Sequence, residues 1–189
     1  RRGPRTESVS FLNVPSFVYA RDETVDVPGI GRVRYDIAFG GAFYAFVRAE
    51  DLGVGLTGAS FNELVDKGMK VKRAVMASRE IAHPLEADLG FLYGTIIMGP
   101  AHGPGHFGRN VCVFAEGEVD RSPTGTGVSA RAALHVAKGE IALGEPFVIE
   151  SLIGTTFRGR AVRRVSFGPY EAIVPEVTGS ASLTGRNGF

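Results

Sequence analysis

The stretch Asp120-Arg-Ser-Pro-Thr-Gly-Thr-Gly127 puts a carboxylate, three hydroxyls and two glycines directly ahead of a helical run. That run, Val128-Ser-Ala-Arg-Ala-Ala-Leu-His-Val-Ala-Lys138, stops at Gly139, a residue type suited to ending a helix. The first N–H groups of a helix have no intrahelical acceptor and point outward, which suits an anion such as a carboxylate. Gly125 and Gly127 let backbone approach a ligand closely. Asp120, a few residues upstream, stands where it could meet a cation. A zwitterionic amino acid carries both charges.

Each feature also has an ordinary reading. A carboxylate before Ser122-Pro123 is a common turn or capping residue, and Thr124 is a suitable plain helix N-cap.

These residues resemble a known family. Asp120 to Gly127 followed by Val-Ser-Ala-Arg131 is similar to the second active-site motif of the proline racemase superfamily. Further pieces agree in order: Asn13-Val-Pro-Ser-Phe17, Asp36-Ile-Ala-Phe-Gly-Gly-Ala-Phe-Tyr-Ala45, Arg109-Asn-Val-Cys-Val-Phe114, Pro175-Glu-Val-Thr-Gly-Ser-Ala181 and Thr184-Gly185. The likeness runs from about Val9 to Gly185. Racemases and epimerases of the superfamily carry Cys where this chain has Thr124. The Thr form resembles the trans-3-hydroxy-L-proline dehydratase branch. Racemisation at Cα needs an acid–base group on each face, and a thiol can both take and give a proton, whereas a threonine hydroxyl is far too weak an acid. The resemblance thus implies that a carbanion at Cα returns or expels a β-leaving group, with Thr124 bonding the departing group or only shaping the pocket.

The resemblance implies a cofactor-independent lyase that converts trans-3-hydroxy-L-proline to Δ1-pyrroline-2-carboxylate. The Gly125 and Thr126 amides would hold the substrate carboxylate, Asp120 the ring ammonium, and Thr124 the place of the second base. The first base would be a Cys in a Met-Cys-Gly-His type motif of a preceding half, and nothing in this chain corresponds to it. Residues 1–174 are therefore expected to be the second lobe of a two-lobed enzyme, with 175–189 a tail returning toward the missing first lobe. Alone, such a lobe is expected to be inactive. Two other readings stand: a proline racemase or 4-hydroxyproline 2-epimerase, and an isolated non-catalytic lobe.

Composition bounds the partners. The 189 residues are 44% hydrophobic and 22% charged, ordinary for one globular domain. Twenty-one basic against 20 acidic residues argue against nucleic acid or an anionic membrane as partner, and a small molecule and a homodimer are compatible. The arginines at 158, 160, 163 and 164 read as a solvated strand face. No stretch approaches the roughly 20 apolar residues of a membrane helix. One cysteine, Cys112, fits a reducing, cytoplasmic setting and reads as a small buried hydrophobe. His102 and His106, in Gly99-Pro-Ala-His-Gly-Pro-Gly-His-Phe-Gly108, offer neither a third ligand nor rigid spacing. They read as a mobile surface loop or lid, and no metal is expected.

The remaining pattern supplies the scaffold. Strand-like alternation marks 8–12, 16–20, 31–38, 43–47, 94–98, 110–114 and much of 146–183, with a hairpin turn at Gly29 and Gly31. One helix is expected over 60–76, locally weakened by Gly68, and a second over 127–138. This mix predicts an α+β lobe with a bent, mostly antiparallel sheet wrapped around a central helix. The resemblance implies a diaminopimelate epimerase-like fold.

Overall fold

Successive strand residues alternate between two apolar environments. Ile37, Ala45, Val47, Ile97, Val111 and Val113 share one core, while Ala38, Tyr44, Phe46, Ile96 and Cys112 share another. A sheet apolar on both faces needs a layer on each side. The two helices are those layers.

A computed structural model describes residues 5–182, 185, 186 and 188. Among the described residues, ten strands and two α-helices follow in the order β1 (Arg5–Leu12), β2 (Ser16–Val27), β3 (Gly31–Phe39), β4 (Phe43–Arg48), α1 (Phe61–Ser78), β5 (Leu92–Gly99), β6 (Gly108–Phe114), β7 (Glu118–Val119), α2 (Gly125–Lys138), β8 (Pro146–Glu150), β9 (Thr156–Phe167) and β10 (Tyr170–Ser182). Strands β10, β2, β3, β4, β5, β6, β8 and β9 pair in that order, and β9 pairs back onto β10. The expected bent sheet thus goes further and closes. The 13-residue β10 makes closure possible, because it pairs with β2, β9 and, through its far half, β1. Neighbours are antiparallel except β4–β5 and β6–β8. The domain boundary expected at 174 falls inside β10, and Leu183, Thr184, Asn187 and Phe189 lie outside the described residues.

Helix α2 is the central helix. Residues Gly127 to Val136 are buried without a break, as befits a helix enclosed on all sides. Phe147, Ile149, Ala161, Ile173 and Val177 pack on one side of it, and Tyr44, Phe46 and Ile96 on another. Gly139, at φ 71°, ends the helix by donating its N–H to the carbonyls of His135 and Val136. Helix α1 covers the outer face with Leu64, Met69, Val71 and Val75. A Cβ at Gly68 would lie 2.7 Å from the Val113 side chain, so this glycine serves close packing on β6. Among the described residues, no helix is long and apolar enough to cross a membrane.

The β3–β4 turn presses on the start of α2. A Cβ at Gly40 would lie 2.2 Å from the Thr126 carbonyl oxygen and 2.5 Å from the Ala130 nitrogen. Those are backbone atoms of a buried helix and cannot step aside. Gly40→Ala is therefore expected to lower stability by on the order of 1–3 kcal/mol. Gly58→Ala, with nothing within 4 Å, should leave the urea midpoint unchanged.

Acid should weaken the fold before its carboxylates titrate. Burial, then the neighbouring Arg131, pushes the His135 pKa down, only partly offset by Glu140; burial also lowers His83. The unfolded chain thus takes up protons near the ordinary histidine pKa of about 6.5 while the native state does not. By linkage, stability falls as pH drops through that range. Urea midpoints should decrease from pH 7 to pH 5, and His135→Gln should flatten that slope.

Candidate active site

The turn before α2 is a hydrogen-bonded unit. Asp120 donates its N–H to the Cys112 carbonyl at 3.1 Å, which docks it on β6. Its Oδ1 accepts the Ser122 N–H at 2.7 Å and its Oδ2 accepts the Thr124 hydroxyl at 3.0 Å. Ser122 Oγ accepts the Thr124 N–H at 3.0 Å. Behind the turn, Asn110 Nδ2 donates to the Pro123 carbonyl at 3.2 Å, and Arg131 Nη1 donates to Asn110 Oδ1 at 2.6 Å. The short-range reading of Asp120 as a turn carboxylate therefore describes its contacts in this structure.

Thr124 occupies the N-cap position but does not cap. Its side chain makes no bond to a helix N–H, and its hydroxyl goes to Asp120 instead. The plain N-cap reading is corrected on this point. The reason is backbone: Thr124 has φ 68° and ψ 102°, a left-handed value unusual for a β-branched residue. The carbonyl still accepts the first helical bond, from the Val128 N–H at 2.7 Å. Ahead of Val128, the N–H groups of Gly125, Thr126 and Gly127 have no protein acceptor among the described residues.

The Gly125 and Thr126 amides, unlike that of Gly127, border a cavity of about 330 Å³ lined also by Asp120 and Thr124 together with Phe11, Asn13, Tyr44, Tyr93, Cys112 and Phe114. All four candidate site residues meet there. The two glycines differ in purpose. A Cβ at Gly127 would sit 2.5 Å from Ile96, so packing demands that glycine, whereas one at Gly125 would meet only ordinary contacts near 4 Å. Asn13 ties the mouth together, donating to the Gly40 carbonyl at 3.0 Å and to Ser129 Oγ at 2.9 Å.

Three lining groups escaped the residue-level reading. Tyr44, though inside a recognised motif, carried no assigned role. Its hydroxyl lies 2.7 Å from Thr126 Oγ1, and burial, then Cys112, pushes the phenol pKa up. Tyr93 stacks on Phe114 at 5.5 Å between centroids and packs edge-on against Tyr44. Cys112 is the buried thiol expected from its strand, yet it also faces the cavity. Burial pushes its pKa up to about 12, against a lowering contact with Thr124. It is a neutral thiol at physiological pH.

The histidine loop is anchored. Glu150 accepts the N–H groups of His102 (3.0 Å) and Gly103 (2.6 Å), lies 2.7 Å from His106 Nδ1, and receives Arg109 through Nε and Nη2. Burial alone would raise the Glu150 carboxyl, but these donors outweigh it and hold it far below the usual carboxylate range. Neither histidine borders the cavity at α2. Among the described residues, no group of three or more His, Cys, Asp or Glu is placed to hold a metal ion.

A family model described as proline racemase matches residues 1–189. The chain belongs to the proline racemase family. A trans-3-hydroxy-L-proline dehydratase from Colwellia psychrerythraea is 50% identical over 178 residues, covering 94% of this chain and 50% of that protein. A proline racemase from Clostridioides difficile is 41% identical over 185 residues, 98% of this chain and 55% of that protein. The solved hydroxyproline epimerase from Agrobacterium vitis, with bound trans-4-hydroxy-L-proline, superposes with TM-score 0.88 at 27% identity, covering 97% of this chain and 59% of that one. The chain spans about half the length of the curated relatives it matches. The α+β fold expected from the family resemblance is thus the family's own fold.

The strained residue of this family member offers a test. At positive φ a glycine relaxes the backbone, whereas alanine keeps the strain and loses the hydroxyl. Thr124→Gly should therefore retain a higher urea midpoint than Thr124→Ala. The opposite order would place the strain elsewhere.

Proposed function

We propose that this chain forms the carboxylate-binding half of a trans-3-hydroxy-L-proline dehydratase. The observation that carries the reading is the opening of α2, where Gly125 and Thr126 line a cavity with N–H groups unpaired among the described residues, beside a threonine where the racemases that the motif resembles carry a cysteine. A prolyl carboxylate fits the Gly125 and Thr126 amides. As charge grows on its oxygens during Cα deprotonation, such fixed donors strengthen and lower the barrier. Asp120 fits the ring ammonium, giving up its bond to Thr124 or sharing it.

Stereochemistry supports a lyase. In trans-3-hydroxy-L-proline the hydroxyl lies on the ring face opposite the carboxylate, and the Cα hydrogen lies on that same face. One acid–base group there can take the Cα proton and return it to the departing oxygen. The C–H electrons form the C=C bond, the C–O bond breaks and water leaves. The enamine product then tautomerises to Δ1-pyrroline-2-carboxylate. The other face needs no base, which suits Thr124 as a wall and as a partner for Asp120. By family likeness, the acid–base group is a cysteine outside this chain, so the 189 residues alone have no turnover. Residues 1–174 would then serve as the second lobe, with 175–189 reaching toward the first.

A racemase or epimerase would need a proton donor on the second face. Cys112 is a poor substitute, since its thiol is buried and its pKa is raised to about 12. Incubation of the full-length protein in deuterated water with trans-3-hydroxy-L-proline should give pyrroline carboxylate, and L-proline should give no D-proline. Accumulation of D-proline, or epimerisation without water loss, would defeat the dehydratase reading.

A further inference from the structure

A second, larger cavity of about 410 Å³ lies along the C-terminal half of α2, lined by Arg131, Leu134, His135, Phe46, Met98 and Phe107 among others. It shares no lining residue with the cavity at the start of α2. Arg131 is six residues past Gly125, about 9 Å along the helix axis.

Arg131 is only 5% exposed and makes no ion pair among the described residues: Glu140 acts on it from beyond the His135 ring, and the Phe107 ring centroid lies 6.0 Å from its Cζ. Its Nε donates to His135 Nε2 at 3.0 Å, and its Nη1 to the Arg109 carbonyl at 3.3 Å and Asn110 Oδ1 at 2.6 Å. All of these acceptors are neutral. Among the described residues, Nη2 has no hydrogen-bond acceptor and no carboxylate lies within ion-pair distance of the guanidinium. The contrast with Arg109 is direct, because that equally buried arginine has Glu150 at 2.7 Å. A buried cation without a directly paired counter-charge is costly, and an anion entering the cavity would offset that cost. Burial lowers the Arg131 pKa to about 10, so it is still a cation at neutral pH.

The acids around the cavity are engaged elsewhere. Asp36 pairs with Lys138, Glu140 with the His135 ring, Glu50 with Arg48 and Asp22 with Arg21. Asp51 is exposed at the rim beside Arg48. The inner wall of Phe46, Met98, Leu134 and Phe107 is apolar. We propose that this cavity is a second ligand site, taking a small monocarboxylate whose anionic end meets Arg131 and whose apolar body lies against Phe46, Met98 and Leu134.

Isovalerate and its uncharged isostere isovaleramide separate the charge from the shape. Titration of the isotope-labelled chain with isovalerate should move the backbone amide signals of Leu134 and His135 in a saturable way, with Kd in the millimolar range. Isovaleramide should bind roughly tenfold more weakly. Arg131→Met should abolish the Leu134 and His135 shifts in a chain whose dispersed amide spectrum shows that it is folded. If Arg131→Met does not fold, Met98→Trp, which fills the apolar wall from a half-buried position, should do the same. The proposal is overturned if isovalerate leaves those two signals still, if the amide binds equally well, or if the shifts persist in the variant that folds.

Discussion

A helix enclosed along its whole length must still leave its first N–H groups without partners. In this protein that constraint organises the site. Helix α2 runs through a closed sheet, and its opening turn neither caps itself nor lies against another strand's carbonyls. The Thr124 backbone, held at positive φ by the Asp120–Ser122 turn, swings its hydroxyl away from the helix. The Gly125 and Thr126 amides, unpaired among the described residues, then border a cavity. Such a geometry, enforced by the fold, would suit an anion without a charged side chain at that point.

The same helix fixes the distribution of buried charge. Arg131, one and two-thirds turns beyond Gly125 on the ordinary pitch of about 3.6 residues, supports the active-site turn through Asn110 and Pro123. It also reaches the opposite cavity. A continuous set of polar contacts therefore links the turn before α2 to the second cavity, passing through Pro123, Asn110, Arg131 and His135. Glu150 and Arg109 form a separate knot that straps the 100–107 loop to the ends of β6 and β8.

Much of this was legible in the residues. The Gly139 stop, the Gly29–Gly31 hairpin and both helices follow from local chemistry, and each helix extends slightly beyond its expected span because end residues carry weak periodic signals. That the four candidate residues line one cavity was legible because they lie close in sequence, within Asp120 to Thr126. Sheet closure was not, because it depends on β10 pairing with β2, where Ala172 lies opposite Phe17 from near the other end of the chain. Tyr93 carried no signal at all, since only the parallel β4–β5 register brings it beside Tyr44. The anchored histidine loop was missed for the same reason: its partner, Glu150, lies 44 residues beyond His106. Gly68 and Gly127 looked like a weak point and a ligand contact, but both answer to packing that only the assembled core defines.

The most direct test is a crystal structure with trans-3-hydroxy-L-proline bound. The carboxylate should sit within hydrogen-bond distance of the Gly125 and Thr126 nitrogens, with the ring nitrogen on Asp120. A ligand whose carboxylate lies away from those amides, with Asp120 still closed on Ser122 and Thr124, would contradict the account.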